Sequence, residues 1–239
     1  MNEQESMKKG YNSGVFSPLV LLAFGIVGTL MLLWDTQLIF SARTEMEAVM
    51  GMIQKIFYFH VPSAAAGFLA FLVVFIASIV YLRNGSRVAD IWAEAGAELG
   101  MMLTLLVLLT GMIWSRYSSW GVWWAWEPRQ MTVLFLFLIF VTYVILRRSI
   151  HQPVKRGKFC AVLGIIGFLN TPLVYFSTKF GGLHPMLNSG DEGSSLTESM
   201  QSTFGISMLI ITLFCAFLLL LRVRQGMLDD AVREKEASS

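Results

Sequence analysis

Six long apolar segments decide what this chain of 239 residues can fold into. A helix needs about 20 mainly apolar residues to cross the hydrocarbon core of a bilayer. Segments of about that length lie at 17–36, 61–82, 96–114, 130–147, 159–177 and 205–222. We therefore predict an all-α integral membrane protein whose six transmembrane helices form one domain over residues 1–239.

The composition agrees with a membrane protein and argues against several other classes. Hydrophobic residues make up 55% of the chain and charged residues 14%, whereas soluble domains carry about 25% charged residues. Most basic residues flank apolar segments, so we expect membrane lipid as a partner and not nucleic acid. Cys160 and Cys215 both lie inside apolar segments, which is typical of small core residues and not of a disulfide framework.

The positions of Lys and Arg predict the orientation of the helices. If the N-terminus is cytoplasmic, the cytoplasmic segments hold most of the 18 Lys and Arg residues. An N-in/C-in topology follows, with residues 225–239 as a cytoplasmic tail. The first apolar segment has no clear cleavage site after it, so we expect it to stay as an anchor. No Walker-type phosphate loop occurs, so ATP hydrolysis by this chain is not expected.

The first outer segment, about 37–60, predicts a short amphipathic helix that lies in the membrane interface. Thr44 and Glu47 have the spacing of a capping box. Apolar residues then recur with helical period at Met46, Val49, Met50, Ile53, Ile56 and Phe57, and His60 falls on the same stripe. His60 comes just before Pro62, a residue that suits the first turn of the second transmembrane helix.

The second outer segment, about 115–129, is a Trp-rich loop that reads SRYSSWGVWWAWEPR. Together with the residue before it, the loop holds most of the 7 tryptophans of the chain: Trp114, Trp120, Trp123, Trp124 and Trp126. An aromatic belt at headgroup depth explains one or two of them. So many indoles in so few residues favour a platform for a large, planar, apolar ligand.

Two of the 3 histidines lie on the same predicted outer face. His60 ends the first outer segment, and His184 lies in the third, about 178–203, in a Gly-Gly-Leu-His-Pro sequence that predicts a flexible loop. His151 is cytoplasmic and is expected to be a solvated loop residue. Two neutral imidazoles can occupy both axial positions of haem iron. A zinc site is the alternative, although zinc prefers three or four protein ligands.

The stretch Trp120–Arg129 resembles the signature W-G-x-W-W-x-W-D-x-R of the WWD-domain superfamily of haem-handling membrane proteins. Six positions match, at Trp120, Gly121, Trp123, Trp124, Trp126 and Arg129. Glu127 stands where the signature has Asp, so the carboxylate is kept but displaced by one methylene. With six spans and one histidine in each of the first and third outer segments, the chain is similar to the cytochrome c maturation family CcmC, the haem exporter protein C family.

That resemblance implies a role and a set of partners. Members of this family hold haem at the periplasmic face of the bacterial inner membrane, and the haem is then attached to the haem chaperone CcmE. The resemblance implies haem b bound non-covalently and transiently, the small membrane protein CcmD as a partner, and release of the loaded chaperone by the ABC-type complex CcmA/CcmB. His60 and His184 become axial ligands of the iron. The remaining implied haem-binding residues are Trp120, Gly121, Trp123, Trp124, Trp126, Glu127 and Arg129, and we add Trp114 because it adjoins the motif.

The implied role is that of a scaffold and not of an enzyme, because the outer segments offer no evident nucleophile or general base. Three alternatives remain open. In the first, the chain itself exports haem; polar residues within the spans, such as Thr104, Thr110 and Asn170, would support this interpretation. In the second, the chain is an electron-transfer subunit that holds haem within the bundle. Such a site needs histidines inside spans, whereas those of this chain lie at the ends of spans or in loops. In the third, the chain is a structural subunit with an aromatic belt and no ligand.

Overall fold

The computed structural model describes residues 17–41, 51–118, 120–180 and 198–238, and these residues are helical apart from short connections. We number the helices α1 to α6 in chain order. They are α1 Pro18–Ser41, α2 Phe57–Asn84, α3 Arg87–Tyr117, α4 Pro128–Ser149, α5 Pro153–Phe176 and α6 Glu198–Ser238. Two short 3₁₀ helices, Gly51–Ile56 and Ser177–Phe180, precede α2 and follow α5.

All six predicted spans are confirmed, because the described residues contain six helices that are long and apolar enough to cross a membrane. The helices extend beyond the predicted segments, most of all α6, which has 41 residues. At 1.5 Å per residue a helix of that length is about 60 Å long, roughly twice the hydrocarbon thickness. Part of α6 therefore lies outside the apolar layer, and residues 225–238 continue the helix.

The outer segment before α2 differs from its prediction where it is described. Residues 42–50, with most of the predicted amphipathic helix, lie outside the described residues. Gly51–Ile56 is a 3₁₀ helix that leads directly into α2, so Phe57 and His60 belong to the transmembrane helix itself. Pro62 lies inside α2 and not at its first position. Pro62 is the sixth residue of α2, and because proline has no N–H, the helix lacks the backbone hydrogen bond to the carbonyl of Tyr58 at this point.

Close contacts through glycine hold α2 and α3 together at the centre of the bundle. A Cβ atom on Gly96 would lie 2.9 Å from the backbone oxygen of Ala70, and one on Gly100 would lie 2.3 Å from Cε1 of Phe71. Small residues at such contacts let two membrane helices approach closely. Phe71 also stacks on Phe140 of α4, with ring centroids 3.9 Å apart. The core therefore joins α2, α3 and α4, and α5 packs against it.

Helix α1 is the most peripheral element and packs mainly against α6. Most of its apolar side chains are exposed, as expected for a surface that faces lipid. Gly25 and Gly28 bring its backbone close to Phe217 and Phe214 of α6. Near the C-terminal end of α1, the buried carboxylate of Asp35 accepts a hydrogen bond of 2.8 Å from Ser207 of α6.

Candidate functional site

The last turn of α3 fixes the start of the Trp-rich loop. The buried hydroxyl of Ser115 donates to the backbone oxygen of Val122 at 2.7 Å. Nη1 of Arg116 donates to the backbone oxygen of Gly121 at 2.6 Å, and Gly121 has φ +69°, a conformation that favours glycine. Two side chains of one rigid helix therefore hold the loop by its backbone.

The first turn of α4 fixes the other end of the loop. Pro128 begins the helix, where the missing N–H of proline is not needed. The side-chain oxygen of Gln130 accepts a hydrogen bond of 2.9 Å from the backbone N–H of Ala125. The connection between α3 and α4 is thus anchored at both ends, in keeping with a preorganised surface.

The tryptophans form edge-to-face pairs and not one continuous stack. The three aromatic pairs are Trp114–Trp120, Tyr117–Trp123 and Trp124–Trp126, with centroid separations of 5.3, 6.0 and 6.1 Å and interplanar angles above 80°. Edge-to-face contact is a favoured geometry for aromatic rings. Each pair braces its members, so the loop presents separate indole faces.

Trp126 is the most exposed tryptophan of the loop and has an unusual backbone. Its side chain is 74% exposed, compared with 49% for Trp123. Its φ is +55°, the one positive value among the described residues that are not glycine. Bulky residues adopt this conformation rarely and at a cost of about 1–3 kcal/mol. A strained backbone that holds a large apolar ring in the open is typical of a binding position.

His60 lies where α2 meets the C-terminal part of α3. Nδ1 of the imidazole is 2.9 Å from the hydroxyl oxygen of Thr110. A Cβ atom on the next residue, Gly111, would lie 3.2 Å from Cε1 of the ring, so the glycine makes room for the imidazole. Trp114 follows Gly111 by one helical turn on α3. The histidine ring is therefore held beside the base of the Trp-rich loop.

Arg129 links the Trp-rich signature to this histidine through charge. Its guanidinium interacts electrostatically with Glu127 of the same motif and with Tyr175 at the end of α5. It also acts on the imidazole of His60. Glu127 itself is buried, with 5% of its surface exposed, and occupies the N-cap position of α4. The Trp-rich loop, α2, α4 and α5 thus contribute charged or polar groups to one region.

Two other basic residues of the predicted outer segments, Lys55 and Arg116, have backbone partners. Nζ of Lys55 donates to the backbone oxygen of Ile39 at 2.7 Å and, at 3.4 Å, to that of Phe40. It therefore caps the C-terminal end of α1, where a positive charge is favourable. Arg116 holds Gly121, as described above. Arg129 is the cation whose field reaches His60.

The structure brings together the predicted site residues that it describes. Trp114, Trp120, Gly121, Trp123, Trp124, Trp126, Glu127 and Arg129 lie in or beside one anchored loop, and His60 lies at its base. His184 lies outside the described residues. Within the described part of the chain, no group of three or more His, Cys, Asp and Glu side chains could hold a metal ion. His151 is exposed at the opposite end of the bundle.

Sequence reasoning missed the roles of Thr110, Gly111, Ser115 and Gln130. Thr110 drew attention only as a polar residue within a span, although it precedes Trp114 by four residues and so shares its helix face. That spacing was the available signal. Nothing in the sequence indicated the backbone contacts of Ser115 and Gln130, because they depend on the course of the loop.

Comparison with known proteins gives a consistent result over most of the chain. The family model described as heme exporter protein C matches residues 11–238. The heme exporter protein C of Bradyrhizobium diazoefficiens is 33% identical over 195 residues, which are 81% of this chain and 74% of that protein. Its counterpart in Paracoccus denitrificans is 29% identical over 79% of this chain and 78% of its own length. The Escherichia coli K12 protein is 26% identical over 88% of this chain and 83% of its own length.

Proposed function

Because this chain belongs to the heme exporter protein C family, we propose that it binds haem at the periplasmic face of a bacterial inner membrane and presents it to the haem chaperone CcmE. Haem is cargo in this proposal, held as haem b without a covalent bond and then passed on. CcmD and the ABC-type complex CcmA/CcmB are the other proposed partners. The protein acts as a scaffold that offers no nucleophile of its own, and so is not proposed to be an enzyme.

The observation that carries the proposal is the position of His60. A site with an imidazole ligand for the iron, flat apolar surfaces for the ring and a cation for the propionates is well suited to haem. His60 supplies an imidazole at the base of the Trp-rich loop, Trp123 and Trp126 supply exposed indoles, and the charge of Arg129 acts at the same imidazole. The residues present therefore fit haem, with His184 as the proposed second axial ligand.

Each group has a separate task in the proposed site. His60 and His184 bind the iron from opposite sides, and the indoles cover the ring and exclude water from it. Arg129 pairs with a propionate, for which a guanidinium is well suited. An edge of the porphyrin then remains accessible to the chaperone, which brings the reacting side chain.

Export of haem by this protein is the second candidate, and the name of its relatives, heme exporter protein C, favours it. The polar residues within the spans support the scaffold more than a transport path. The hydroxyls of Thr104 and Thr110 donate to carbonyls one turn earlier in α3, and Asn170 donates to the backbone of Thr132 in α4. The hydrogen bonds of these polar groups are therefore made within the bundle and not directed at a transport path. Haem uptake into vesicles that contain this protein alone would favour export.

The test is the absorption spectrum of the purified protein, oxidised and reduced, beside His60→Ala, His184→Ala and His151→Ala. We expect a low-spin haem spectrum in the wild type. Substitution of His60 or His184 should perturb it and lower haem content, whereas His151→Ala should not. Full haem content and an unchanged spectrum in both outer variants would refute the two histidines as ligands. A wild type that takes up no haem would refute the proposed function.

A further inference from the structure

We propose that Thr110 is a positioning residue for His60: its hydroxyl oxygen accepts a hydrogen bond from Nδ1–H of the imidazole, which leaves Nε2 as the unprotonated nitrogen that binds iron. The proposal rests on the proposed function in one respect, namely that haem iron is what His60 binds. It adds a residue outside the Trp-rich signature and assigns each nitrogen of the ring a separate task.

The argument begins with the single proton of the Thr110 hydroxyl. Its oxygen lies 2.7 Å from the backbone oxygen of Leu106 and 3.2 Å from that of Val107. A carbonyl can only accept a hydrogen bond, and two oxygens at 2.7 Å repel each other unless a proton lies between them. Donation to the carbonyl one turn earlier is also the usual behaviour of threonine within a helix. The hydroxyl proton is therefore committed to the backbone.

It follows that His60 is the donor in its contact with Thr110. Nδ1 is 2.9 Å from Oγ1, which is hydrogen-bond distance. With its own proton used, the oxygen can only accept, so Nδ1 carries the hydrogen. A neutral imidazole has one N–H, which makes Nε2 the bare nitrogen. Metal-binding histidines generally donate their second N–H to a protein acceptor in this way.

The position of Gly111 shows which edge of the His60 ring faces α3. The ring atom nearest to it is Cε1, which a Cβ atom at this position would approach to 3.2 Å, and Nδ1 follows at 3.9 Å. The edge of the ring that holds Cε1 and Nδ1 therefore faces α3. Two adjacent residues of one rigid helix thus fix the direction in which Nε2 points.

The proton can be located directly in the haem-free protein. The full chain, labelled with ¹⁵N in the imidazoles, gives NMR signals from only 3 histidines, and His60→Gln identifies those of His60. At a pH above the range in which histidine ordinarily titrates, Nδ1 and Nε2 shifts distinguish the two tautomers. We expect Nδ1–H in the wild type and in Thr110→Ser, which keeps the hydroxyl. Thr110→Val should shift the population towards Nε2–H.

Thr104→Val is the matched control. Thr104 lies on the same helix, and its hydroxyl donates to the carbonyl of Gly100 at 2.7 Å, just as Thr110 does to Leu106. Its substitution removes the same groups from α3 away from His60, so it should leave the tautomer unchanged. Should Thr110→Val fail to fold, Thr110→Ala removes the same hydroxyl with less bulk.

Haem binding then links the tautomer to function. Loss of the acceptor should weaken haem retention by about tenfold, as expected when a metal ligand loses its hydrogen-bond partner, and shift the reduction potential. Thr110→Ser should restore both. The inference is overturned if His60 of the wild type is in the Nε2–H form, or if its tautomer population is the same in Thr110→Val and Thr110→Ala as in the wild type. Either result leaves the haem proposal intact. A wild type that binds no haem refutes that proposal, whatever the tautomer.

Discussion

Arg147 of α4 binds both carboxylate oxygens of Asp90 of α3, with Nη1–Oδ1 and Nη2–Oδ2 distances of 2.7 and 2.9 Å. The pair is buried and lies at the end of the bundle opposite to the Trp-rich loop. Further ion pairs surround it: Arg147–Glu94, Arg222–Glu94, Arg222–Glu98, Arg87–Asp90 and Arg87–Asp230. This ionic cluster connects α3, α4 and α6.

Arg147→Met should strongly destabilise the protein without altering the Trp-rich loop. The substitution removes the bidentate partner of the buried Asp90 carboxylate, which keeps its ion pair with Arg87; because loss of one partner of a fully buried pair costs about 3–5 kcal/mol, that range is the upper bound here. Thermal unfolding in detergent measures the effect. Arg148→Met is the control, because Arg148 is adjacent but exposed and should change stability little. Equal thermal midpoints for the two variants would show that the cluster contributes no stability.

Gly111→Ala should perturb haem ligation without weakening the helix. Alanine is favoured over glycine within a helix by about 1 kcal/mol, yet its Cβ would lie 3.2 Å from Cε1 of His60. The imidazole has to move by a few tenths of an ångström, which changes the low-spin spectrum. Gly205→Ala on α6 is the control, because a Cβ there meets nothing within 4 Å. If the two variants have the same haem spectrum, His60 is not held by α3 as described.

Trp126→Gly should weaken haem retention while changing stability little, because the relief of backbone strain offsets the loss of the edge-to-face contact with Trp124. Glycine adopts a φ of +55° without strain, so the backbone cost at this position disappears. The exposed indole disappears as well, and loss of one apolar contact face of that size should weaken retention about tenfold. Haem titration and thermal unfolding separate the two effects. Trp34→Leu, at an exposed tryptophan of α1, is the control; a loss of haem equal to that of Trp126→Gly would contradict a specific role for Trp126.

The spans were predictable from the sequence because the bilayer imposes a minimum apolar length on each helix. Their ends were not, as α3 and α6 show. Helix α3 begins at Arg87 and α6 continues to Ser238, through charged sequence. Outside the apolar layer a polar helix and a polar loop have similar composition, so hydropathy alone does not locate the last helical residue. The predicted N-in/C-in orientation stays a prediction.

The Trp-rich loop was predictable as a site because its signature is local in sequence. The contact between His60 and Thr110 was not, since it joins residues 50 positions apart in the chain. The same holds for Arg147 and Asp90, 57 positions apart. Such pairs depend on the rotation and register of neighbouring helices, which glycine contacts such as that of Gly100 on Phe71 determine. A single sequence gives helix faces but not that register.

Glu127 offers a test of how the signature tolerates a longer side chain. It is the N-cap residue of α4, lies almost fully buried, and its charge interacts with that of Arg129. Glu127→Asp keeps the negative charge and introduces a residue that is favoured at N-caps, so haem retention should stay within about threefold of wild type. Glu127→Gln keeps the size but removes the charge, which leaves the half-buried guanidinium of Arg129 without this electrostatic partner. Its haem retention should fall about tenfold or more and its thermal stability should fall as well.

Haem titration of the two variants beside Glu198→Gln, at an exposed glutamate of α6, makes the comparison. If Glu127→Gln binds haem as the wild type does while Glu127→Asp does not, the position is governed by the reach of the side chain and not by its charge.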